Sequence, residues 1–404
     1  METALNATDL GFVPAPGFRA AATACGLKAS GAPDLALIVA AGDAAAAGTF
    51  TTNRVQAAPV IWDRRVLEQG AGRVRAVIAN SGCANACTGE PGLADTRATA
   101  VLTAQVLGCE PGQILVLSTG VIGRRLDMFK LALGIARLGA PDAGGDAARA
   151  IMTTDTRPKL ASTACSIGGR EARIEGIAKG AGMIHPNMAT MLAVLTTDVR
   201  AEPAVLQTAL EAAVRRSFNR ISVDGDMSTN DTVLVLASGA SGAALTREAL
   251  PAFGAALEQA CASLARQIAR DGEGATRMIE IEVRGAATEE EAHAIGDRIA
   301  NSPLVKTAVH GGDPNWGRIL AAAGTAGVAF DPDRVTLTLG AGPGAVRVVE
   351  GGLPARYEEP RAVATMREDP VRMTLELDRG HAAATVWTCD FSAEYVAINA
   401  HYTT

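Results

Sequence analysis

The chain has 404 residues and 48% hydrophobic side chains, more than a single ordinary core needs. A formal charge of −6 argues against a general polyanion binder, and 3% aromatics argue against a stacking surface for single-stranded nucleic acid. Seven scattered cysteines fit reduced thiols, no apolar run could span a bilayer and no secretory signal opens the chain, so cytoplasm is the expected setting.

In chain order, residues 73–80 read as a strand that ends in the turn-rich SGCANACTGEPG. Residues 93–107 have helical composition. Residues 114–117 form a short buried strand, followed by STGVIG as a glycine-containing turn. Residues 126–138 and 145–153 read as helices, and 162–177 as a hairpin. The run MLAVLTT (191–197) is a buried strand, and 204–216 is a helix with Pro203 near its first turn. A strand at 232–237 precedes a long Ala-rich helix over 247–270. A strand at 278–283 precedes a helix to about residue 300, opened by Thr288 and Glu291 as a capping box. Residues 304–310 read as a further strand and NWGRILAAAG as a helix. The last seventy residues read mostly as strands. Helices and strands intermix without strict βαβ repetition, which predicts an α/β fold of mixed sheets layered with helices. The clearest seam is the segment GMIHPNMATMLAVLTTD (182–198), and a weaker one lies near 284–288.

That seam places Ala189-Thr190 between a turn-like His185-Pro186-Asn187 and a rigid strand. Threonine is a weak nucleophile unless a base assists it, and a threonine that begins a chain can use its own α-amine. Such an amine, with a reference pKa near 7.7–8.0, is partly neutral at physiological pH. An internal threonine gains that amine only if the peptide bond before it is cut. Its hydroxyl can attack the preceding carbonyl to give an ester, which water then opens. The reaction needs a small residue ahead of the threonine, and Ala189 is one. A plain loop entering a sheet would leave the same local pattern.

The stretch KGAGMIHPNMATML (179–192) closely resembles the cleavage segment of the ornithine acetyltransferase family, glutamate N-acetyltransferases that are in many members also amino-acid N-acetyltransferases. The resemblance extends to FTTNRVQAAPV (50–60), ANSGCANACTG (79–89), STGVIG (118–123), MTTDT (152–156) and SFNRISVDGDMSTNDT (217–232). It continues through DGEGATR (271–277), SPLVKTAVHGGDPNWGRI (302–319) and YVAINAHYTT (395–404), in the family's order. Ala181 and Met227 depart from the residues usual there.

The resemblance implies an N-terminal-nucleophile-like, self-processed fold. Thr190 matches the nucleophile, and cleavage between Ala189 and Thr190 would give an α chain, 1–189, with the oxyanion-hole lobe and a β chain, 190–404. Thr119 and Gly120 match the oxyanion-hole pair. Lys179, Glu273, Asn399 and Thr404 match substrate contacts, as does Thr153, with Thr156 as the alternative. The implied reaction moves acetyl from N2-acetylornithine to glutamate through an acetyl-Thr190 ester, with no metal or organic cofactor; acetyl-CoA is a further candidate donor. The implied assembly is a heterotetramer of two αβ pairs, without nucleic acid or membrane partners.

Other motifs are weaker. Cys83 and Cys87 lack the further ligands of a zinc site. The loop VDGDMSTND (223–231) lacks the spacing of a calcium loop and reads as a polar scaffold. His185 is expected to shape its turn. An amidohydrolase or aminopeptidase with the same nucleophile, and an uncleaved non-enzymatic scaffold, are the alternative classes.

Overall fold

The computed structural model describes residues 11–140, 143–185 and 191–401. Among them, two mixed sheets are layered with helices. The first sheet contains β1 (Phe18–Thr23), β2 (Leu35–Phe50), β3 (Arg73–Cys83), β4 (Ile114–Val121), β5 (Lys159–Ile167), β6 (Arg170–Lys179), β7 (Leu192–Thr197) and β8 (Thr232–Ala237). Its order is β4-β3-β2-β8-β7-β6-β5, with β1 paired to β2. The pairs β3–β4 and β7–β8 are parallel and the others antiparallel. Its helices are α1 (Ala58–Gln69), α2 (Gly89–Leu107), α3 (Met128–Leu138), the single turn α4 (Ala147–Ala150), α5 (Pro203–Arg215) and α6 (Leu250–Arg270).

The central strands β7 and β8 are buried along their whole length, which explains their unbroken apolar runs. Alternate residues serve different cores. Ala193 and Leu195 join Leu206 and Leu210 of α5 and Leu257 and Leu264 of α6. Leu192 and Val194 join Val60 of α1 and Leu115 and Leu117 of β4. Both cores therefore fix the register of the strand that begins two residues after Thr190.

The second sheet contains β9 (Met278–Ala286), β10 (Thr336–Leu339), β11 (Val346–Glu350), β12 (Leu353–Pro354), β13 (Val371–Glu376) and β14 (Ala382–Cys389), in the order β12-β11-β10-β13-β9-β14. Helices α7 (Glu289–Ala300), α8 (Pro303–Gly311), α9 (Trp316–Ala323) and α10 (Glu359–Thr365) join its core, and α11 (Ala393–His401) follows β14. This sheet opens at Met278, ahead of the 284–288 seam. The first sheet draws strands from both sides of residues 189 and 190, so the two proposed chains share one sheet rather than forming separate lobes.

Several sequence expectations need correction. Residues 304–310 are helical. Ser302 caps α8 by accepting the Val305 N–H, Pro303 sits in its first turn and Gly312 ends it at φ +69°. Val305, Ala308 and Val309 then fall on one buried face. Helix in 145–153 is confined to α4, with Asp146 as its cap. STGVIG continues β4 as far as Val121 rather than turning at once. The C-terminal segment ends in α11, where no helix was expected.

Candidate functional site

Thr119, Gly120, Thr153, Lys179, Glu273 and Asn399 line one pocket, partly open to solvent. They come from five separate segments: the end of β4, the loop after α4, the end of β6, the loop after α6 and the helix α11. Ala189, Thr190 and Thr404 lie outside the described residues. Thr156, the alternative to Thr153, donates its hydroxyl and its N–H to Asp271.

The Thr119–Gly120 turn is held by neighbours far away in sequence. Gly120 has φ +130°, and a Cβ there would lie 2.4 Å from the Gly82 carbonyl carbon. The parallel strands β3 and β4 thus meet glycine to glycine at the pocket. Ser118 Oγ donates to Asn80 Oδ1 at 2.6 Å. Asn230 Nδ2 donates to the Ser118 and Ala84 carbonyls at 2.8 and 2.7 Å, and the Thr229 hydroxyl fixes the Asn230 amide at 2.6 Å. All four of these residues are buried.

Lys179 is 2% exposed and donates from Nζ to Thr119 Oγ1 at 3.3 Å. Burial lowers its pKa; Asp155 opposes that, Lys159 reinforces it, and Glu273 and Asp231 oppose it. Beneath Lys179 runs a buried ion network. Lys159 Nζ donates to Asp155 Oδ1 at 2.5 Å and to Asp271 Oδ2 at 2.6 Å. Asp155 also accepts the Gly180 N–H at 2.7 Å and the Thr153 N–H at 2.9 Å. Burial would push the Asp155 carboxyl up, but Lys179, Lys159 and these hydrogen bonds outweigh it and hold the pKa at about 2.

Opposite, Glu273 accepts from Asn399 Nδ2 at 2.9 Å. A Cβ on Gly182 would lie 2.4 Å from Glu273 Oε2, so a larger residue there would displace the Glu273 carboxylate from its place beside Asn399. Helix α11 docks through Ser392, whose hydroxyl donates to the Gly274 carbonyl at 2.6 Å, and through the Phe391–Tyr395 ring stack at 4.9 Å. Gly274 has φ +68°, and a Cβ there would meet the Tyr395 nitrogen at 2.4 Å.

The loop 223–231 is a scaffold with a particular reach. Asp224 accepts the Met183 and Ile184 N–H groups at 2.6 and 2.8 Å. Asp231 accepts the Met191 N–H at 2.9 Å. One loop therefore grips the chain on both sides of residues 186–190. His185 does not line the pocket; its Nδ1 is buried without a hydrogen-bond partner among the described residues. Asn80, Asp155, Lys159 and Asp271 were not assigned a site role from sequence, whereas Asn230 and Asp231 belong to the loop read there as a polar scaffold. Several stood inside the quoted motifs, but pairings across about a hundred residues leave no local signal.

The ArgJ family model matches residues 19–404. The "Arginine biosynthesis bifunctional protein ArgJ" of Symbiobacterium thermophilum is 48% identical over 98% of this chain and 99% of its own. The crystal structure of the arginine biosynthesis bifunctional protein argJ from Bacillus halodurans is 43% identical, covering 51% of this chain and 97% of that one, with a TM-score of 0.49. Ornithine acetyltransferase from Mycobacterium tuberculosis, solved with ornithine, is 46% identical over 44% of this chain and 94% of that one, with a TM-score of 0.38.

Proposed function

The chain belongs to the ArgJ family of arginine-biosynthesis enzymes, and on that footing we propose that it cuts itself between Ala189 and Thr190 and then moves acetyl from N2-acetylornithine to glutamate through Thr190. The observation that carries this reading is the convergence of Thr119, Gly120, Thr153, Lys179, Glu273 and Asn399 on one pocket. The strand that follows the nucleophile is anchored beside that pocket by the Asp231–Met191 bond.

In this reading the Thr190 hydroxyl attacks the acetyl carbonyl, with the new α-amine as base. Negative charge develops on the former carbonyl oxygen. The Gly120 N–H and the Thr119 hydroxyl receive it. Because Thr119 Oγ1 already accepts from Lys179, its own O–H is free to donate, and the Lys179 contact polarises it. A donor of this kind is worth about 3–4 kcal/mol in the transition state. Ornithine leaves, and glutamate's amine takes the acetyl group from the ester. Lys179 supplies positive charge toward a substrate carboxylate and Glu273 negative charge toward an ammonium. Helix α11 closes one wall, which protects the ester from water. Acetyl-CoA is the second donor we propose, in keeping with the relatives' description as bifunctional. No cofactor or metal is needed by this route, and the assembly we propose is two αβ pairs.

Denaturing electrophoresis and product analysis test the proposal together. Wild type is expected as two fragments and Thr190→Ala as one band. Acetyl loss from N2-acetylornithine should depend on glutamate; acetate release at the same rate without glutamate would move the protein to the amidohydrolase class.

A further inference from the structure

The β3–β4 ladder loses its regular register at the pocket. Asn80, Ser81 and Gly82 face Ser118, Thr119 and Gly120 in order, but Cys83 then pairs with both Thr119 and Val121. Among the described residues β4 is also an edge strand, with β3 on one side only. The backbone that presents Thr119 and Gly120 therefore lies where a ladder alone holds it least.

Asn230 makes good that loss. It is buried and lines the pocket. Its amide nitrogen has two hydrogens, and both go to backbone carbonyls, to Ser118 at 2.8 Å and to Ala84 at 2.7 Å. The first carbonyl lies directly before Thr119 on β4. The second lies just past the irregularity on the β3 side, where the Ala84 N–H still donates to the Val121 carbonyl at 3.0 Å. The amide oxygen accepts the Thr229 hydroxyl at 2.6 Å. Two acceptors on one side and a donor on the other admit the amide in a single orientation. The loop that carries it is anchored as well. The Thr51 N–H donates to the Asp231 carbonyl at 2.9 Å, and the Thr51 hydroxyl to the Ser228 carbonyl at 2.8 Å. With both hydrogens spent on backbone, Asn230 has no donor left for a substrate.

The Ser118 carbonyl belongs to the planar peptide unit that ends at the Thr119 nitrogen. Pinning its oxygen fixes that plane, and so the direction from which the Thr119 side chain and the next peptide unit depart. That next unit carries the Gly120 N–H, and Gly120 is itself packed against the Gly82 backbone.

We propose that Asn230 is a positioning residue for the oxyanion hole, an inference that rests on the acetyl transfer proposed above and on the roles given there to Thr119 and Gly120. It aims the Thr119 hydroxyl and the Gly120 N–H without touching the oxygen that they receive. Such donors are effective because they are in place before charge develops. A displacement of about 1 Å can cost about 10²-fold in rate.

The test is steady-state acetyl transfer from N2-acetylornithine to glutamate by the processed protein. Asn230→Asp keeps the side-chain shape and turns an oxygen toward the two carbonyls. It is expected to lower kcat about 10–100-fold and to leave KM for each substrate within about twofold. Thr229→Val frees the amide oxygen and is expected to lower kcat about 3–10-fold with the same unchanged KM; it takes the place of N230D if that variant fails to fold or to be processed. Combination with Thr119→Val supplies a readout that a merely structural role would not move. The double variant is expected to lose much less than the product of the two single losses, because both changes act through one oxyanion hole. A multiplicative loss, a wild-type kcat or a defect confined to KM overturns the proposal and leaves the acetyl-transfer reading intact. A wild-type protein that moves no acetyl to glutamate overturns both.

Discussion

Lys179 shows how a single side chain acquires a task from its surroundings. An isolated lysine in a sequence is ordinarily a solvated surface charge. Here the register of β6 buries it, the Gly180–Asp155 bond fixes the strand end, and its Nζ reaches the Thr119 hydroxyl. Thr119→Val keeps the side-chain shape and removes the donor. It is expected to lower kcat by about 10²–10³-fold with little change in melting temperature, read from steady-state acetyl transfer and a thermal scan. Asp155 provides a pH signature of folding. Its carboxyl falls from an ordinary 3.8 to about 2 in the folded chain. A depressed carboxylate stabilises the fold above its unfolded pKa and loses that contribution as pH falls through the folded one. About 2 kcal/mol should therefore disappear between roughly pH 5 and pH 2. Urea unfolding of wild type and Asp155→Asn should show a stability gap that narrows as pH falls across this range; a constant gap would contradict the ion network. The residues of this network were illegible in the sequence as a group. Asp155 and Lys159 are four residues apart, but Asp271 joins them only when the start of β5 meets the end of α6.

At the scale of elements, the sequence spoke clearly where one interaction dominates. The apolar runs of β7 and β8 announce strands buried on both faces, and Thr288 announces the start of α7 through its bond to the Glu291 N–H. It misled where two signals compete. Val305, Thr307 and Val309 favour a strand by β-branching, yet Ser302, Pro303 and Gly312 bracket the segment as a helix and the burial period of α8 follows the caps. Ser302→Ala is accordingly expected to cost about 1 kcal/mol in denaturant unfolding. Helix α11 was hidden for a different reason, since a chain terminus ordinarily has little to pack against. Its dock at Gly274 is testable. Gly274→Ala adds a Cβ at φ +68° against the Tyr395 backbone. It should destabilise by about 1–3 kcal/mol and raise acetate loss in the absence of glutamate, because the wall formed by α11 loosens. Unchanged hydrolysis in a loosened variant would remove α11 from the proposed water barrier.

For the whole molecule, the two sheets divide the chain differently from the proposed cut. The second sheet lies wholly downstream of residue 277, while the first combines strands from both sides of residues 189 and 190. Across that point β6 and β7 form a continuous antiparallel ladder, Ile174 with Thr197 through Lys179 with Leu192, and β2 pairs with β8. The layered α/β class was legible from the mixture of element types, but this sharing was not, because strand order is set by long-range pairing. The cut should therefore leave one folded body: the fragments are expected to co-elute under native conditions and part only on denaturation. The most direct measurement is the intact mass of the purified protein after brief exposure to N2-acetylornithine without glutamate. Two masses are expected, with one acetyl group on the 190–404 fragment at Thr190 that disappears when glutamate is added. A single uncut chain, active yet never acetylated at that residue, would contradict the account.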